Sequence, residues 1–232
     1  MPIVDNIQRV RQEIEGAARR AGRSPDSVTL MAVSKTFPAE SIQEAYAAGA
    51  RVFGENRVQE FASKFLEVAD LADACFHLIG HLQSNKAAKA AEFFHAIDSI
   101  DSLKLAQRLN AAAMGLGKKL AVLVEVNVGG EAAKSGVASD SPELGTILEA
   151  APHLTNLEIR GLMTVPPFTA DPGDARPYFR QLRDLRDRLA AQNHPGVHLT
   201  ELSMGMSHDF QIAIEEGSTC VRVGTAIFGS RQ

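Results

Sequence analysis

Apolar residues recur along this chain at two periods that alternate. In the first segment Ile3, Ile7, Val10, Ile14, Ala17 and Ala21 fall at helical spacing and the pattern stops at Gly22, which predicts an amphipathic helix closed by a glycine. After it, short apolar runs of strand character cover 28–34, 50–53, 76–79, 96–97, 120–127, 158–163, 198–203 and 219–223. Helical patterns fill the gaps, over 39–48, 56–69, 86–94, 102–114, 142–150, 174–192 and 208–216. Roughly eight strands alternating with helices is the count that closes a parallel barrel, so the fold class predicted is α/β, a single (β/α)8 TIM barrel. A doubly wound open sheet is the alternative, but its usual glycine fingerprint is missing. No linker, low-complexity tract or charge block divides the chain, so one barrel domain is expected over 1–232. Arg176, Arg180, Arg183, Arg186 and Arg188 interleave with Asp184 and Asp187 and alternate with Leu182, Leu185 and Leu189, the pattern of a solvated outer helix face.

Composition narrows the class of partner. With 45% hydrophobic and 22% charged residues the chain reads as an ordinary globular protein. A formal net charge of -4 argues against nucleic acid or an anionic membrane held by bulk electrostatics and leaves small molecules as the expected ligands. Cys75 and Cys220 stand far apart without paired metal spacing, so neither a disulfide framework nor a zinc site is expected, and a reducing cytoplasm suits them. The N-terminal segment lacks the apolar core of a signal peptide, and no stretch approaches a membrane span.

The candidate chemistry lies at strand ends. Lys35 closes the apolar run VTLMAVSK, where burial disfavours the ammonium and leaves an amine able to attack a carbonyl carbon, the reactivity of a Schiff-base lysine. Taken alone, the residue reads more readily as a lysine that snorkels its head to water, and the matching site at the other end of the chain reverses that preference. Barrel active sites sit at the C-terminal ends of the strands, and phosphates bind at the loops after the last two. Those loops are SMGMS, over 203–207 with Ser203 and Ser207, and GTAIFG, over 224–229, where Gly224 admits close backbone approach and a short helix can begin at Thr225. Each loop singly reads as a strand-to-helix turn; their joint position is what points to a phosphate. Arg222 ends the last strand beside them, and against a pyridine nitrogen its guanidinium can only donate. Pairing with a carboxylate such as Glu201 or Glu215 is the other reading of that arginine. His77 and His81 are four apart, but HLIGH runs through a strand and a glycine, so no metal site is expected; GLGKKL lacks the residues of a Walker loop.

The strings AVSKTFP with Lys35, FGENRVQE with Asn56, FHLIGHLQSNK with His77 and Lys86, EVNVGGEAAKSGV with Lys134, GLMTVPP, LSMGMSHDFQIAI and VRVGTAIFG span almost the whole chain in order. Together they resemble the pyridoxal phosphate homeostasis protein family, whose fold is similar to the barrel domain of alanine racemase. The resemblance implies pyridoxal 5'-phosphate as cofactor, a Schiff base on Lys35, phosphate binding around Ser207, Gly224 and Thr225, and Arg222 at the pyridine nitrogen. Ser203 and Asn56 are expected to line the same pocket, and Gly129, Gly130, Glu131 and Lys134 either fold over it or form a solvated turn. The family implies a carrier that buffers or delivers the cofactor, with no catalytic residue assigned and apo-forms of pyridoxal phosphate enzymes as recipients. A monomer in the cytoplasm is expected. Two other readings compete. One is an amino-acid racemase, which needs a second base opposite Lys35, whereas Tyr46 and Tyr178 are the only tyrosines and both fall in predicted outer helices. The other is a lysine-dependent aldolase acting on a phosphorylated sugar. The chain departs from its relatives at Phe76, where tryptophan is common, a change expected to affect packing rather than cofactor chemistry.

Overall fold

A computed structural model describes residues 2–131 and 134–229. Helix α1 (Ile3–Arg20) precedes the first strand and buries Ile7, Val10, Ile14 and Ala17, the face its spacing predicts. The chain then runs β1 (Thr29–Val33), α2 (Ala39–Ala47), β2 (Val52–Glu55), α3 (Val58–Val68), β3 (Cys75–Leu78), α4 (Ala87–Phe93), β4 (Ala96–Ile100), α5 (Leu103–Gly115) and β5 (Leu120–Asn127). It continues through β6 (Val137–Ala138), α6 (Pro142–Glu149), β7 (Leu157–Met163), α7 (Arg176–Ala190), β8 (Val197–Met206), α8 (Phe210–Glu215), β9 (Cys220–Val223) and α9 (Thr225–Phe228).

The strands follow the order β4-β3-β2-β1-β9-β8-β7-β5, and pairing of β4 with β5 closes the ring. Every pair is parallel. The barrel expected from the alternating periods is therefore present, and ring closure removes the open-sheet alternative. Parallel strands covered by helices are buried on both faces, which is why β4 has no exposed residue and reads as a continuous apolar run apart from Asp98 and Ser99.

Two features escaped the periodicity. The two-residue β6 pairs with the end of β5, outside the ring, through Val126 and Val137. Strand β8 runs on to Met206 through residues expected to be loop. Its register against β9 passes from Ser203 opposite Cys220 to Met206 opposite Arg222, three residues against two, so β8 bulges where the small residues lie.

Phe76 is buried, with its ring 4.7 Å from that of Phe61 and 5.5 Å from that of Phe53. Its role is packing, as the sequence reading expected of this position. The arginines of α7 differ from the solvated face their spacing suggests. Arg176 and Arg183 place guanidinium nitrogens 2.7 and 2.9 Å from the carboxylate of Glu216, which is 4% exposed, and Arg176 also bonds Glu215 at 2.6 Å. They clamp α8 to α7, a pairing between distant segments that helical spacing alone does not reveal. Among the described residues no helix is long and apolar enough to cross a membrane.

Candidate functional site

A cavity of about 570 Å³ opens where the strands end. Lys35, Asn56, Ser207, Arg222, Gly224 and Thr225 all line it, so residues from β1, β2, β8 and β9 and their following turns converge there. A second cavity, of about 620 Å³, lies at the opposite end of the barrel among Cys75, His77, Glu201 and Cys220. In parallel barrels the chemistry sits at the C-terminal ends of the strands, which selects the first.

Lys35 stands two residues beyond β1, half-buried, in a turn closed by Phe37 N donating to Ser34 O at 3.1 Å. That turn is pinned from below by residues the sequence reading did not single out. Lys64 of α3 lies 2.8 Å from Glu55 Oε1 and donates to Ser34 O at 3.2 Å and Phe37 O at 3.0 Å. The Ser34 hydroxyl donates to the same Glu55 oxygen at 2.6 Å, and Thr36 N donates to Glu60. Burial raises the Glu55 pKa, while the Lys64 ammonium and these hydrogen bonds oppose the shift. The available sequence signal was a lysine on the apolar face of a predicted helix. Asn56 follows directly on β2, and a Cβ on Gly80 would stand 2.3 Å from Asn56 O, so only glycine lets the turn after β3 approach this wall.

At the other side Ser207 Oγ accepts from Gly224 N at 3.1 Å and from Ala226 N at 3.4 Å. With both lone pairs taken, the hydroxyl hydrogen is left to donate. Thr225 is exposed beside it at the start of α9.

Arg222 is 3% exposed, and it donates to Ser203 Oγ at 2.8 Å and to Thr164 O at 2.6 Å. Neither Glu201 nor Glu215 pairs with it, so the carboxylate reading of this arginine does not hold. Burial lowers the pKa of Arg222, against which Cys220, Asp98, Glu125 and Asp209 act. Ser203 corrects an expectation. It is fully buried and does not line the cavity; in register with Met163 and Cys220, it takes a hydrogen bond from Arg222 beneath the cavity and orients that guanidinium.

Of the residues singled out after β5, Lys134 reaches the site, while Gly129, Gly130 and Glu131 do not line it. Lys134 and Ser135 line the cavity, and Lys134 Nζ donates to Pro166 O at 3.1 Å and pairs with Glu131. Ala132 and Ala133 of the EVNVGGEAAKSGV string lie outside the described residues. Glu125 and His208 also line the cavity and were not foreseen; each stands in a string dominated by more conspicuous residues. Tyr46 and Tyr178 sit on α2 and α7 and do not line it.

His77 and His81 diverge to opposite ends of the barrel, His81 at the Lys35 cavity and His77 at the other. Among the described residues no three His, Cys, Asp or Glu side chains cluster to hold a metal ion. Burial works against charging His77, but Asp98, 3.0 Å from its Nδ1, outweighs it and pushes its pKa up to about 10 from 6.5. A raised folded-state value stabilises the fold fully below about 6.5, and that contribution is lost as pH rises toward about 10. Urea unfolding across this window is expected to show stability falling with pH, and His77→Gln should flatten the slope.

A parallel barrel with a lysine, an inward arginine and a serine-glycine-threonine turn at its C-terminal end defines an alanine racemase-type barrel, and the family described as alanine racemase, N-terminal domain, matches residues 6–232. The chain belongs to that family and, within it, to the pyridoxal phosphate homeostasis proteins. It is 45% identical over 232 residues to the pyridoxal phosphate homeostasis protein of Aquifex aeolicus, covering 100% of each chain. The structure of PipY from Synechococcus elongatus PCC7942 with PLP bound is 41% identical and superposes with a TM-score of 0.85, covering 98% of this chain and 100% of that one. Alanine racemase from Clostridium difficile 630 shares the fold alone, at 16% identity and a TM-score of 0.69 over 98% of this chain and 57% of that one.

Proposed function

We propose that this chain binds pyridoxal 5'-phosphate in the Lys35 cavity and serves intracellular cofactor homeostasis, holding and releasing it without catalytic turnover of its own. The observation that carries the reading is the convergence, on one cavity, of an amine, a donor-only guanidinium and a serine hydroxyl whose lone pairs are already occupied. These are the nucleophile that an aldehyde takes and the donors that a pyridine nitrogen and a phosphate take, so the residues present fit the cofactor. Bound there, pyridoxal phosphate supplies an aldehyde and an electron-withdrawing ring.

In this reading Lys35 Nζ holds the cofactor as a Schiff base, and the Glu55–Lys64 pair keeps its turn in place. Ser207, Gly224 and Thr225 hold the phosphate, while Asn56 forms the wall between. Arg222, oriented by Ser203, donates to the ring nitrogen and keeps it unprotonated, which weakens the ring as an electron sink and suits storage better than chemistry. The same reading assigns one barrel domain over 1–232, a monomer, a cytoplasmic location and apo-enzymes that use the cofactor as recipients.

Titration of wild type and Thr225→Val with pyridoxal phosphate and with unphosphorylated pyridoxal tests it. Hydrogen bonds to a charged group contribute about 1.5–3 kcal/mol, so the variant is expected to bind the phosphorylated ligand roughly tenfold to a hundredfold more weakly and the other almost unchanged. Equal weakening of both ligands would remove the phosphate role. Incubation of loaded protein with D- and L-amino acids should give no sustained change in optical activity; turnover at roughly one per second or faster would favour the racemase reading.

A further inference from the structure

Glu125 stands near the end of β5 and forms part of the cavity wall, yet no role above uses it. It is 7% exposed, and its Oε2 is buried with no hydrogen-bond partner among the described residues. An orphaned carboxyl oxygen in a buried wall is costly unless a proton or a ligand completes it. The burial is built by the loop above. A Cβ on Gly136, at φ +102, would lie 3.1 Å from Glu125 O and 3.2 Å from its Cγ, so glycine lets the loop settle on this side chain.

We infer that Glu125 is a ligand-binding residue that holds the anionic cofactor more tightly while its own carboxyl carries a proton, so that ionisation of this one side chain loosens the cavity's hold. The inference rests on the cofactor reading above. Arg222 on β9 favours the charged form of Glu125. Asp101, after β4, opposes it, and His81, after β3, lies with Nδ1 3.1 Å from that aspartate. Lys35, Lys134 and His208 line the same cavity from the turns after β1, β5 and β8. Burial is the largest influence, and with Asp101 it outweighs Arg222 and pushes the Glu125 carboxyl up to about 7.

Protonated, the group has an O–H to offer a ligand oxygen. Ionised, it can only accept, and it repels a phosphate carrying about -1.5 to -2. A ligand that favours the protonated form raises that group's pKa further. Affinity then falls by up to about tenfold per pH unit between the free and the loaded values.

The test titrates full-length wild type and Glu125→Gln with pyridoxal phosphate from about pH 6 to about pH 8.5, the range of physiological switching. The phosphate and every titratable side chain except Glu125 are common to both proteins, so the difference between the two profiles isolates Glu125. Wild-type affinity is expected to fall about tenfold more across this range than that of the variant. Parallel profiles overturn the inference and leave cofactor binding standing; a wild type that binds no pyridoxal phosphate at any pH overturns both. Carbon NMR of labelled glutamate carboxyls in the wild type gives an answer that does not depend on the variant's folding. One glutamate titrating near neutrality should move to higher pH on loading, and a midpoint that stays put overturns the inference.

Discussion

Lys35→Ala is expected to lose every trace of borohydride-reducible pyridoxal phosphate adduct, while weak binding that depends on the phosphate persists. Reduction fixes an amine-linked cofactor irreversibly, so peptide mapping by mass spectrometry identifies the nitrogen that carried it. The competitor with a place in the same cavity is Lys134, whose Nζ is held by Pro166 O and Glu131. Lys86 points elsewhere, donating to Gln59 Oε1 at 3.3 Å. An adduct confined to Lys134 or Lys86 in wild type, or an undiminished adduct in Lys35→Ala, refutes the assignment. The residual binding has a physical basis: removing Lys35 leaves Ser207, Gly224, Thr225 and Arg222 lining the cavity, and the proposed contacts from these need no covalent help.

Lys64→Met is expected to destabilise the protein by about 3 kcal/mol, because breaking one side of a buried ion pair strands the other. Glu55 is fully buried and its Oε2 has no hydrogen-bond partner among the described residues, so loss of the ammonium leaves a buried carboxylate with less compensation. For a chain of this size the loss corresponds to a fall in Tm of roughly 6–12 °C. Binding should weaken as well, since Lys64 holds the carbonyls of Ser34 and Phe37 on either side of Lys35. Glu55→Gln combined with Lys64→Met should recover part of the stability, as removing both charges leaves neither uncompensated. A Lys64→Met midpoint within measurement error of wild type in urea would show that the pair contributes nothing.

The barrel was legible because its signal is local and repeated. Each strand is a short apolar run, each helix an apolar stripe, and the ring needs only their alternation and number. The site was legible where chemistry coincides with a strand end, as at Lys35, Arg222 and the turn at Gly224 and Thr225. It was illegible where a role depends on which face of a strand a side chain takes. Ser203 shows this: the sequence puts it at the site, and the strand places it fully buried against Arg222, out of the cavity lining. Lys64 shows the converse, a lysine on an apolar helix face whose purpose appears only when β2 brings Glu55 beneath it.

By itself, then, the sequence determined the α/β alternation, the family and the strand ends at which an amine and a guanidinium would meet a ligand, because each is written in residues close together along the chain. The tertiary structure alone decided that Arg176 and Arg183 clamp α8, that His77 and His81 face opposite ends of the barrel, and that Glu125 lies buried under Gly136. The physical reason is the same in each case. Charge state, hydrogen-bond satisfaction and burial are set by neighbours tens to hundreds of residues away, and only closure of the ring brings those neighbours into contact.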